Sequence, residues 1–289
     1  MAITLNPTES YIDSSLNEQS FSSISLSLQL SLNDVSFSIK DNNQGNYLAI
    51  VAYNFPEKNS VSGLVDFLTQ LFLHQDLLKK EFTQVFVSYK NNTATLIPSE
   101  LFDENQLSTY LKFTTEDVPD ANIVSDFIKE IDAYNVYSIP QSIEKLIIMN
   151  FVTAKFIHNS TAFIQGVFNN KYVVGNADKV FVNINNNELE VIIVKGSKFY
   201  LYNSFQFKMK EDFLYYLLFA MKQFNCDPTS TEIIVMGKIA EQSPIHSLLL
   251  KYIAEVNFAK NTIESNLTTL LNETPEHYYF TLLNLSKCV

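Results

Sequence analysis

The chain has 289 residues, about the length of two ordinary domains, and 46% of them are hydrophobic. That composition can supply two cores and argues against extensive disorder. Twenty basic residues, all of them Lys, stand against thirty-one acidic residues and give a formal net charge of −11. Such a charge repels phosphate backbones and anionic membranes, so the composition excludes nucleic acid as the expected partner.

The N-terminal residues 1–23 are polar and contain no Lys, so they lack both the charged and the apolar part of a signal peptide. They are predicted to form a flexible arm. Two cysteines, Cys226 and Cys288, are too few for a disulfide framework and fit a reduced interior. The densest apolar run, 213–221, is shorter than the ~20 residues that cross a bilayer. The sequence therefore predicts a cytoplasmic protein without a transmembrane segment.

The first half opens with a predicted meander of three short strands. Apolar residues alternate with Ser and Gln over 24–32, which is the period of a strand. Polar turns separate it from strands at 35–39 and 47–53. A helix follows, because apolar residues over 61–72 recur at the spacing of one buried helical face. The Ser and Gln face of the first strand is unusual beneath helices, so we expect it either to line a cleft or to be less covered.

The segment 82–131 has no counterpart later in the chain and is predicted to be an insertion. It contains two predicted strands, at 82–89 and 93–98, and then mostly helical sequence. The elements expected beyond it are a strand at 135–139 that ends at Pro140, a helix capped by Ser142, a strand at 154–158 and a helix from Ser160.

The second half repeats this order of elements. Three strands are predicted between Lys179 and Phe207, a helix over 211–224, and then alternating strands and helices to the C-terminus. Each half reads β-β-β-α-β-α-β-α, which predicts an α/β fold with two mixed sheets covered by helices. The predicted domains are 24–173, which carries the insertion, and 174–289.

Three local sequences carry a resemblance to a known family: Asn-Val-Tyr-Ser-Ile-Pro at 135–140, Glu-Asp-Phe-Leu-Tyr-Tyr at 211–216 and His-Tyr-Tyr-Phe at 277–280. Together with the repeated layout, they resemble an uncharacterised bacterial protein family with the actin-like ATPase fold, a duplicated ribonuclease H-like domain. Actin, sugar kinases, heat-shock ATPases and cytoplasmic actin-like proteins of pilus assembly and type II secretion share that fold. The resemblance covers the chain from about Ile24 and implies a fold rather than an activity.

The resemblance also implies where a nucleotide would bind. Actin-like ATPases place an Asp-x-Gly pair at the first turn of each half, where the carboxylates organise magnesium and the glycines let backbone amides approach phosphate. The matching residues here are Gln29-Leu30-Ser31 and Asn183-Ile184-Asn185. A neutral amide is a weaker magnesium ligand than a carboxylate and cannot act as a general base.

The adenosine-side motif is altered as well, because Gly237 is followed by Lys238 where the family has two adjacent glycines. All three nucleotide motifs are thus degenerate, and we predict no catalytic residue, no metal and no cofactor. An alignment shifted by a residue or two would place Asp34 at the first turn. Only one half would then hold a carboxylate, which falls short of the pair that metal-assisted phosphoryl transfer needs.

Other chemical signals have structural explanations. The four histidines lack metal-ligand spacing, so each is expected to be a surface or structural histidine. Cys226 follows a predicted helix and lacks the N-terminal dipole that activates a thiol. The Ser-x-x-Lys pattern at 142–145 has none of its companion motifs, and a helix start explains it.

Two functions remain. The favoured one is a non-catalytic actin-like scaffold or adaptor, a pseudo-ATPase that binds another protein. The alternative is a nucleotide- or small-molecule-binding ATPase or kinase-like protein with a divergent site at Asp34, Lys238 and the turn 185–187, which would use ATP and magnesium.

The predicted insertion is the expected contact surface, because it is the large asymmetry between the halves. Its residues suit a partner with a basic rim, or they form a small core of the insertion's own. They are the acidic Glu100, Asp103, Glu104, Glu116, Asp117 and Asp120 and the apolar Leu101, Phe102, Leu107, Tyr110, Leu111 and Phe113.

Overall fold

The structure is a computed structural model that describes residues 5–18, 23–55, 60–112, 119–169, 172–173, 175–260, 274–275 and 277–288. The strands are β1 (Glu9–Ile12), β2 (Ile24–Leu30), β3 (Asp34–Asp41), β4 (Tyr47–Asn54), β5 (Gln84–Tyr89), β6 (Ala94–Pro98), β7 (Ala121–Ile128), β8 (Ala133–Pro140), β9 (Ala154–His158), β10 (Lys179–Asn185), β11 (Glu188–Lys195), β12 (Lys198–Gln206), β13 (Glu232–Gly237) and β14 (Val256–Phe258). The α-helices are α1 (Ser15–Glu18), α2 (Val61–His74), α3 (Leu107–Lys112), α4 (Gln141–Asn150), α5 (Asn159–Asn169), α6 (Lys210–Gln223), α7 (Pro244–Tyr252) and α8 (Phe280–Asn284).

The described residues form two compact units. The first contains the residues up to Ala162 together with 281–288, and the second contains 163–260 together with 274–280. Each unit has a hydrophobic core of its own, built on one sheet. The two compact units are defined by contacts within the chain. The boundaries 24–173 and 174–289 are those of the predicted duplication, and they stay a prediction.

The sheet of the first unit has the order β1-β4-β3-β2-β5-β9. The strands β2, β3 and β4 form the predicted antiparallel meander, and its apolar face is buried, as Leu26 and Leu28 have no exposed surface. The predicted helix is α2, whose first turn is closed by the Ser60 side chain, which accepts a hydrogen bond from the Gly63 N–H at 3.1 Å. Three leucines of α2 (Leu64, Leu68 and Leu71) pack into the core below.

The prediction that all of 82–131 lies outside this sheet is wrong. Strand β5 lies between β2 and β9 and is parallel to both, so it belongs to the centre of the sheet. Its sequence after Gln84 is buried without alternation, which is typical of a parallel strand covered on both faces. It is therefore β5, rather than the strand that ends at Pro140, that occupies the place after the meander and its helix.

The segment that does leave the sheet is 94–140, which we call the excursion. Its strands form a separate antiparallel sheet in the order β6-β8-β7. The helix that follows, α4, begins at Gln141 without a side-chain cap, so the predicted capping role of Ser142 is wrong.

The prediction of a flexible arm over 1–23 is also wrong for its described part. Strand β1 pairs antiparallel with β4, with Tyr11 opposite Ile50, and so forms the edge of the first sheet. Leu16 in α1 is completely buried in the core. Four residues of strand and one buried leucine are enough to fix a segment whose composition is mostly polar.

The Ser and Gln face of β2 is covered. Ser25 and Ser27 are 1% and 4% exposed, so the expectation of a less covered face is wrong. The turn Leu285–Lys287 contacts β2 and β5, and Leu285 is completely buried. Small serine side chains leave room for this close approach, and hydrogen bonds such as Ser25 Oγ to Asn42 Oδ1 (2.9 Å) satisfy part of the polar face.

The sheet of the second unit has the order β12-β11-β10-β13-β14. Its three antiparallel strands and two parallel ones repeat the order of the first sheet, apart from the added β1. The two meanders lie in separate sheets, as the predicted duplication requires. The helix α7 is capped by Ser243, whose hydroxyl accepts a hydrogen bond from the His246 N–H at 3.2 Å. None of the helices within the described ranges is long and apolar enough to span a membrane.

Candidate functional site

The first predicted phosphate position lies at the end of β2, where Gln29 is opposite Ser36 on one neighbouring strand and Ser88 on the other. The Gln29 side chain donates from Nε2 to Asn159 Oδ1 at 2.8 Å. Asn159 is buried at the start of α5. This amide therefore links β2 to the N-terminus of α5 within the first unit. It is neutral, so it does not offer the carboxylate oxygens that a magnesium ion prefers.

The turn after β2 holds the other candidate acid. The Ser31 hydroxyl donates to Asp34 Oδ2 at 2.5 Å and accepts a hydrogen bond from the Asp34 backbone N–H at 3.1 Å. Asn33 Oδ1 is a further acceptor, at 2.9 Å from Ser31 Oγ. The carboxylate of Asp34 thus closes its own turn, as Asp commonly does.

The second predicted phosphate position contains an acid that the motif comparison missed. Asn183 on β10 lies opposite Glu190 on β11, and both side chains are buried. Asn183 donates from Nδ2 to Glu190 Oε2 at 2.7 Å, and Tyr202 donates its hydroxyl to Glu190 Oε1 at 2.9 Å. Asn185 in turn donates to Asn183 Oδ1 at 3.3 Å. Both carboxylate oxygens of Glu190 therefore have hydrogen-bond donors, which explains how a carboxylate can be buried there.

The adenosine-side position lies on the strand beside it. Gly237 ends β13 with a φ of +87°, a conformation that favours glycine. A Cβ on Gly237 would lie 2.2 Å from the Ile184 carbonyl oxygen and 2.6 Å from Asn183 Oδ1. The structure therefore brings three of the predicted site residues together, because Gly237, Asn183 and Asn185 share one end of β10 and β13.

The residues 277–279 occupy the position next to Gly237. The Gly237 N–H donates to the His277 carbonyl at 2.8 Å, and His277 Nε2 lies 2.8 Å from the Ile239 carbonyl. The ring of His277 stacks on Phe258, with the centroids 4.3 Å apart, and the Lys238 ammonium lies 5.1 Å from the centre of the Tyr279 ring. The backbone N–H of the one glycine that the adenosine-side motif keeps thus donates to the chain itself.

These residues do not fit ATP and magnesium. The first turn offers an amide bound to Asn159, and the second an amide bound to Glu190. The glycine N–H donates to a carbonyl group. Magnesium prefers carboxylate and phosphate oxygens with water in the remaining positions. Within the described ranges, no group of three or more His, Cys, Asp or Glu side chains is arranged to hold a metal ion.

A buried polar network in the first unit has no counterpart in the sequence predictions. Asp126 on β7 accepts hydrogen bonds from the Tyr137 hydroxyl at 3.0 Å and from the His158 backbone N–H at 2.8 Å. Burial raises the pKa of Asp126 from 3.8 to about 6, although these donors and Thr161 partly oppose the shift. No local pattern could reveal the network, because its partners are distant in the chain.

The same network contains a Ser and His pair. Ser160 Oγ lies 2.7 Å from His158 Nδ1, and Asn91 Oδ1 lies 3.3 Å from His158 Nε2. Asn135 Nδ2 also donates to Ser160 Oγ at 2.8 Å. Ser160 and His158 are only 1% and 2% exposed, so no substrate could reach the hydroxyl. The pair joins the excursion to β9 and α5 and is structural, as predicted for this histidine.

The cysteines are buried. Burial raises the pKa of the Cys226 thiol and raises that of Cys288 to about 12, so neither is activated as a nucleophile. A surface groove of about 560 Å³ lies in the first unit between the end of α2 and the end of α4. Its lining mixes the aromatic Phe72, Phe82 and Phe151 with Lys79, Lys80, Glu81 and Asn150, and it does not include the predicted site residues.

The fold agrees with that of solved structures. A Bacteroides thetaiotaomicron VPI-5482 protein with an actin-like ATPase fold and unknown function matches with a TM-score of 0.77 and 21% identity, over 92% of this chain and 96% of that chain. A chain of the PilM-PilN type IV pilus biogenesis complex matches with a TM-score of 0.63 and 10% identity, over 91% of this chain and 97% of that chain. The ethanolamine utilization protein EutJ from Carboxydothermus hydrogenoformans matches with a TM-score of 0.50 and 9% identity, over 91% of this chain and 89% of that chain.

At identities this low, a structural match is evidence for the fold alone. These matches confirm the predicted α/β actin-like ATPase fold. No curated protein matches the chain. The profile of one family, described as "Protein of unknown function (DUF3822)", matches residues 13–256, which is most of the chain. The predicted resemblance to an uncharacterised family with this fold is thus confirmed, and the chain belongs to the DUF3822 family.

Proposed function

We propose that this protein is a non-catalytic scaffold that binds another protein. One observation carries the proposal: the groups at all three nucleotide positions are already paired within the chain, in the contacts Gln29–Asn159, Asn183–Glu190 and Gly237–His277. Gln29 is half-buried and its partner and the other pairs are buried, and a buried group left unsatisfied when its pair opens would cost about 1–3 kcal/mol. The contacts of a bound nucleotide would have to offset that free-energy cost at each position.

The kind of partner follows from charge and from the fold. A net charge of −11 disfavours nucleic acid, which leaves proteins and small molecules. A chain of similar fold belongs to the PilM-PilN complex, and we carry over from it only the idea of a protein partner. A cytoplasmic location, in keeping with two free buried cysteines, is part of the same proposal.

Nucleotide binding is the competing function, and a thermal-shift titration separates the two. With ATP or ADP and magnesium, we expect the same melting temperature as with magnesium chloride alone. A ligand at a hundred times its dissociation constant would stabilise the native state by ~2.7 kcal/mol. A saturable upward shift that is lost in Asp34→Asn would contradict the scaffold proposal and support the divergent nucleotide site.

The excursion is the proposed contact surface. Phe102 stacks on Tyr134 with the ring centroids 3.7 Å apart, and Leu111 is buried, so part of the predicted apolar set forms a small core of the excursion's own. Leu101 is 70% exposed and Phe127 is 47% exposed. The predicted acidic residues Glu100, Asp103, Glu104 and Asp120 are exposed as well, whereas Glu116, Asp117 and Phe113 lie outside the described residues.

A capture experiment tests that surface. Leu101→Asp places a charge on the exposed leucine, and we expect it to reduce recovery of a specific partner about tenfold, as for an interface residue worth more than 1 kcal/mol. The matched control is Leu250→Asp on α7, where the leucine is 55% exposed. If wild type and both variants recover the same proteins in the same amounts, the excursion is not the contact surface.

A further inference from the structure

One end of the excursion presents aromatic rings at its surface. Phe127 of β7 lies beside Tyr134 of β8, with the ring centroids 4.9 Å apart, and Tyr134 stacks on Phe102, which follows β6. Phe102 in turn lies 6.2 Å from Tyr110 of α3, with the two rings nearly parallel. We call these four rings the aromatic row. Phe127 is 47% exposed and the other three are half-buried, so the row is open to solvent along part of its surface.

The loop beside the aromatic row is fixed by hydrogen bonds. Tyr110 donates its hydroxyl to the Leu101 carbonyl at 2.8 Å, and the same hydroxyl accepts from the Asp103 N–H at 2.8 Å. The Asp103 carboxylate accepts from the Asn105 N–H at 2.9 Å. This ordered loop leaves the Leu101 side chain 70% exposed. A leucine held in solvent beside a row of rings is an apolar surface of the kind found at contact sites.

The charged groups around this apolar surface are mostly acidic. Four exposed carboxylates belong to it, on Glu100, Asp103, Glu104 and Asp132. Asp132 lies beside the loop because its carbonyl accepts a hydrogen bond from the Ser99 N–H at 3.0 Å. The turn before Asp132 adds the half-buried acid Glu130 and one exposed base, Lys129. The excursion as a whole has nine acidic residues and two Lys, so it holds −7 of the chain's formal net charge of −11.

This charge selects the occupant of the surface. A second copy docked on the same patch would bring the acidic groups of both copies together, because a two-fold contact uses the same patch on each subunit. Like charges across an interface are unfavourable, and nucleic acid is repelled for the same reason. Within the described ranges, no group of His, Cys, Asp or Glu side chains is arranged to hold a metal ion there. A protein segment with basic side chains next to an apolar one complements both the charge and the exposed leucine.

We propose that this end of the excursion binds a segment of another protein in which an apolar side chain is flanked by Lys or Arg. The apolar side chain packs on Leu101 and on the exposed ring of Phe127. The basic side chains pair with the carboxylates around it, those of Glu100, Glu104 and Asp132. The inference rests on the proposed scaffold function and adds the chemistry of its partner. Apolar contact supplies most of the affinity, and the charges supply specificity and speed of association.

A labelled peptide, Lys-Lys-Leu-Phe-Lys-Lys, is the probe, and fluorescence anisotropy with the whole protein at about 0.1 M salt is the measurement. We expect saturable binding that Glu100→Lys/Glu104→Lys weakens about tenfold, because two attractive charge pairs become repulsive. The matched control is Glu241→Lys/Glu255→Lys in the second unit, which makes the same change in net charge at two exposed glutamates. The control should bind the peptide as wild type does. The peptide with Glu in place of Lys should not bind.

Three results would overturn the proposal: no saturable binding of the basic peptide, equal binding of the acidic one, or equal weakening by the two double variants, which would reduce the effect to net charge. The apolar contact is tested separately. Leu101→Ala should weaken binding about fivefold, whereas Leu250→Ala on α7 should not. Equal binding by these two variants would also overturn the proposal, because the exposed leucine would then take no part.

This result can be told apart from that of the scaffold proposal. A nucleotide-dependent rise in melting temperature would overturn the scaffold function and would leave the measured peptide binding unchanged. A chain that captures a partner through Leu101 but does not bind the basic peptide would keep the scaffold function and would overturn only the basic chemistry of the partner.

Discussion

Replacing Gly237 with Ala is expected to destabilise the second unit by about 3–5 kcal/mol. The added Cβ would lie 2.2 Å from the Ile184 carbonyl oxygen and 2.7 Å from the Ile184 nitrogen, closer than carbon can approach either atom. Neither backbone atom can retreat easily, because the Ile184 carbonyl also accepts a hydrogen bond from the Lys238 N–H at 2.8 Å. The φ of +87° adds a strain of its own. Chemical unfolding followed by circular dichroism measures the loss.

Gly196→Ala separates the steric effect from the strain. Gly196 also has a positive φ, +61°, but the nearest atoms to an added Cβ lie 4.0 Å away. The expected loss there is only about 1–2 kcal/mol, the cost of a left-handed conformation with a side chain. If both variants lose the same free energy of unfolding, the close approach of the backbone atoms at Gly237 does not contribute to the destabilisation. The larger expected loss at Gly237 gives a structural reason for keeping the one glycine of the adenosine-side motif that remains.

Much of the fold follows from the sequence because its signals are local. The alternation over 24–32 and the 3.6-residue period over 61–72 each specify an element without reference to distant residues, and β2 and α2 lie where these patterns place them. The helix cap at Ser243 is equally local. The sequence predicts β5 as part of an insertion outside the first sheet, because its continuous apolar run specifies a strand but does not specify its neighbours.

The candidate site was less predictable because its contacts are not local. Glu190 lies beside Asn183 only because a hairpin places the two strands in register, and no motif of the family marks that position. His277 reaches Gly237 across 40 residues of sequence. The sequence shows amides where the resembled family has acids, but the groups that bind those amides are apparent only in the folded chain.

Asp126 is expected to make the protein more stable as the pH falls from about 7 to about 4. Its pKa in the folded state, about 6, lies above the 3.8 of the unfolded chain, mainly because the carboxyl is buried. The folded state therefore binds the proton more tightly, so protonation favours folding, and the gain is complete below the unfolded pKa. A shift of about two pKa units corresponds to about 3 kcal/mol.

Asp126→Asn isolates this contribution, because the asparagine keeps the shape of the side chain and does not titrate. The free energy of unfolding, measured by urea titration at several pH values, should favour wild type over the variant by about 2 kcal/mol more near pH 4 than near pH 7. Asp227→Asn provides a control of opposite sign. That carboxyl is exposed and its pKa is lowered by hydrogen bonds from Thr229, so its stabilising effect is present at neutral pH and is lost in acid. A difference between wild type and Asp126→Asn that does not change with pH would mean that the carboxyl titrates as it does in the unfolded chain, and that the buried network does not enclose it.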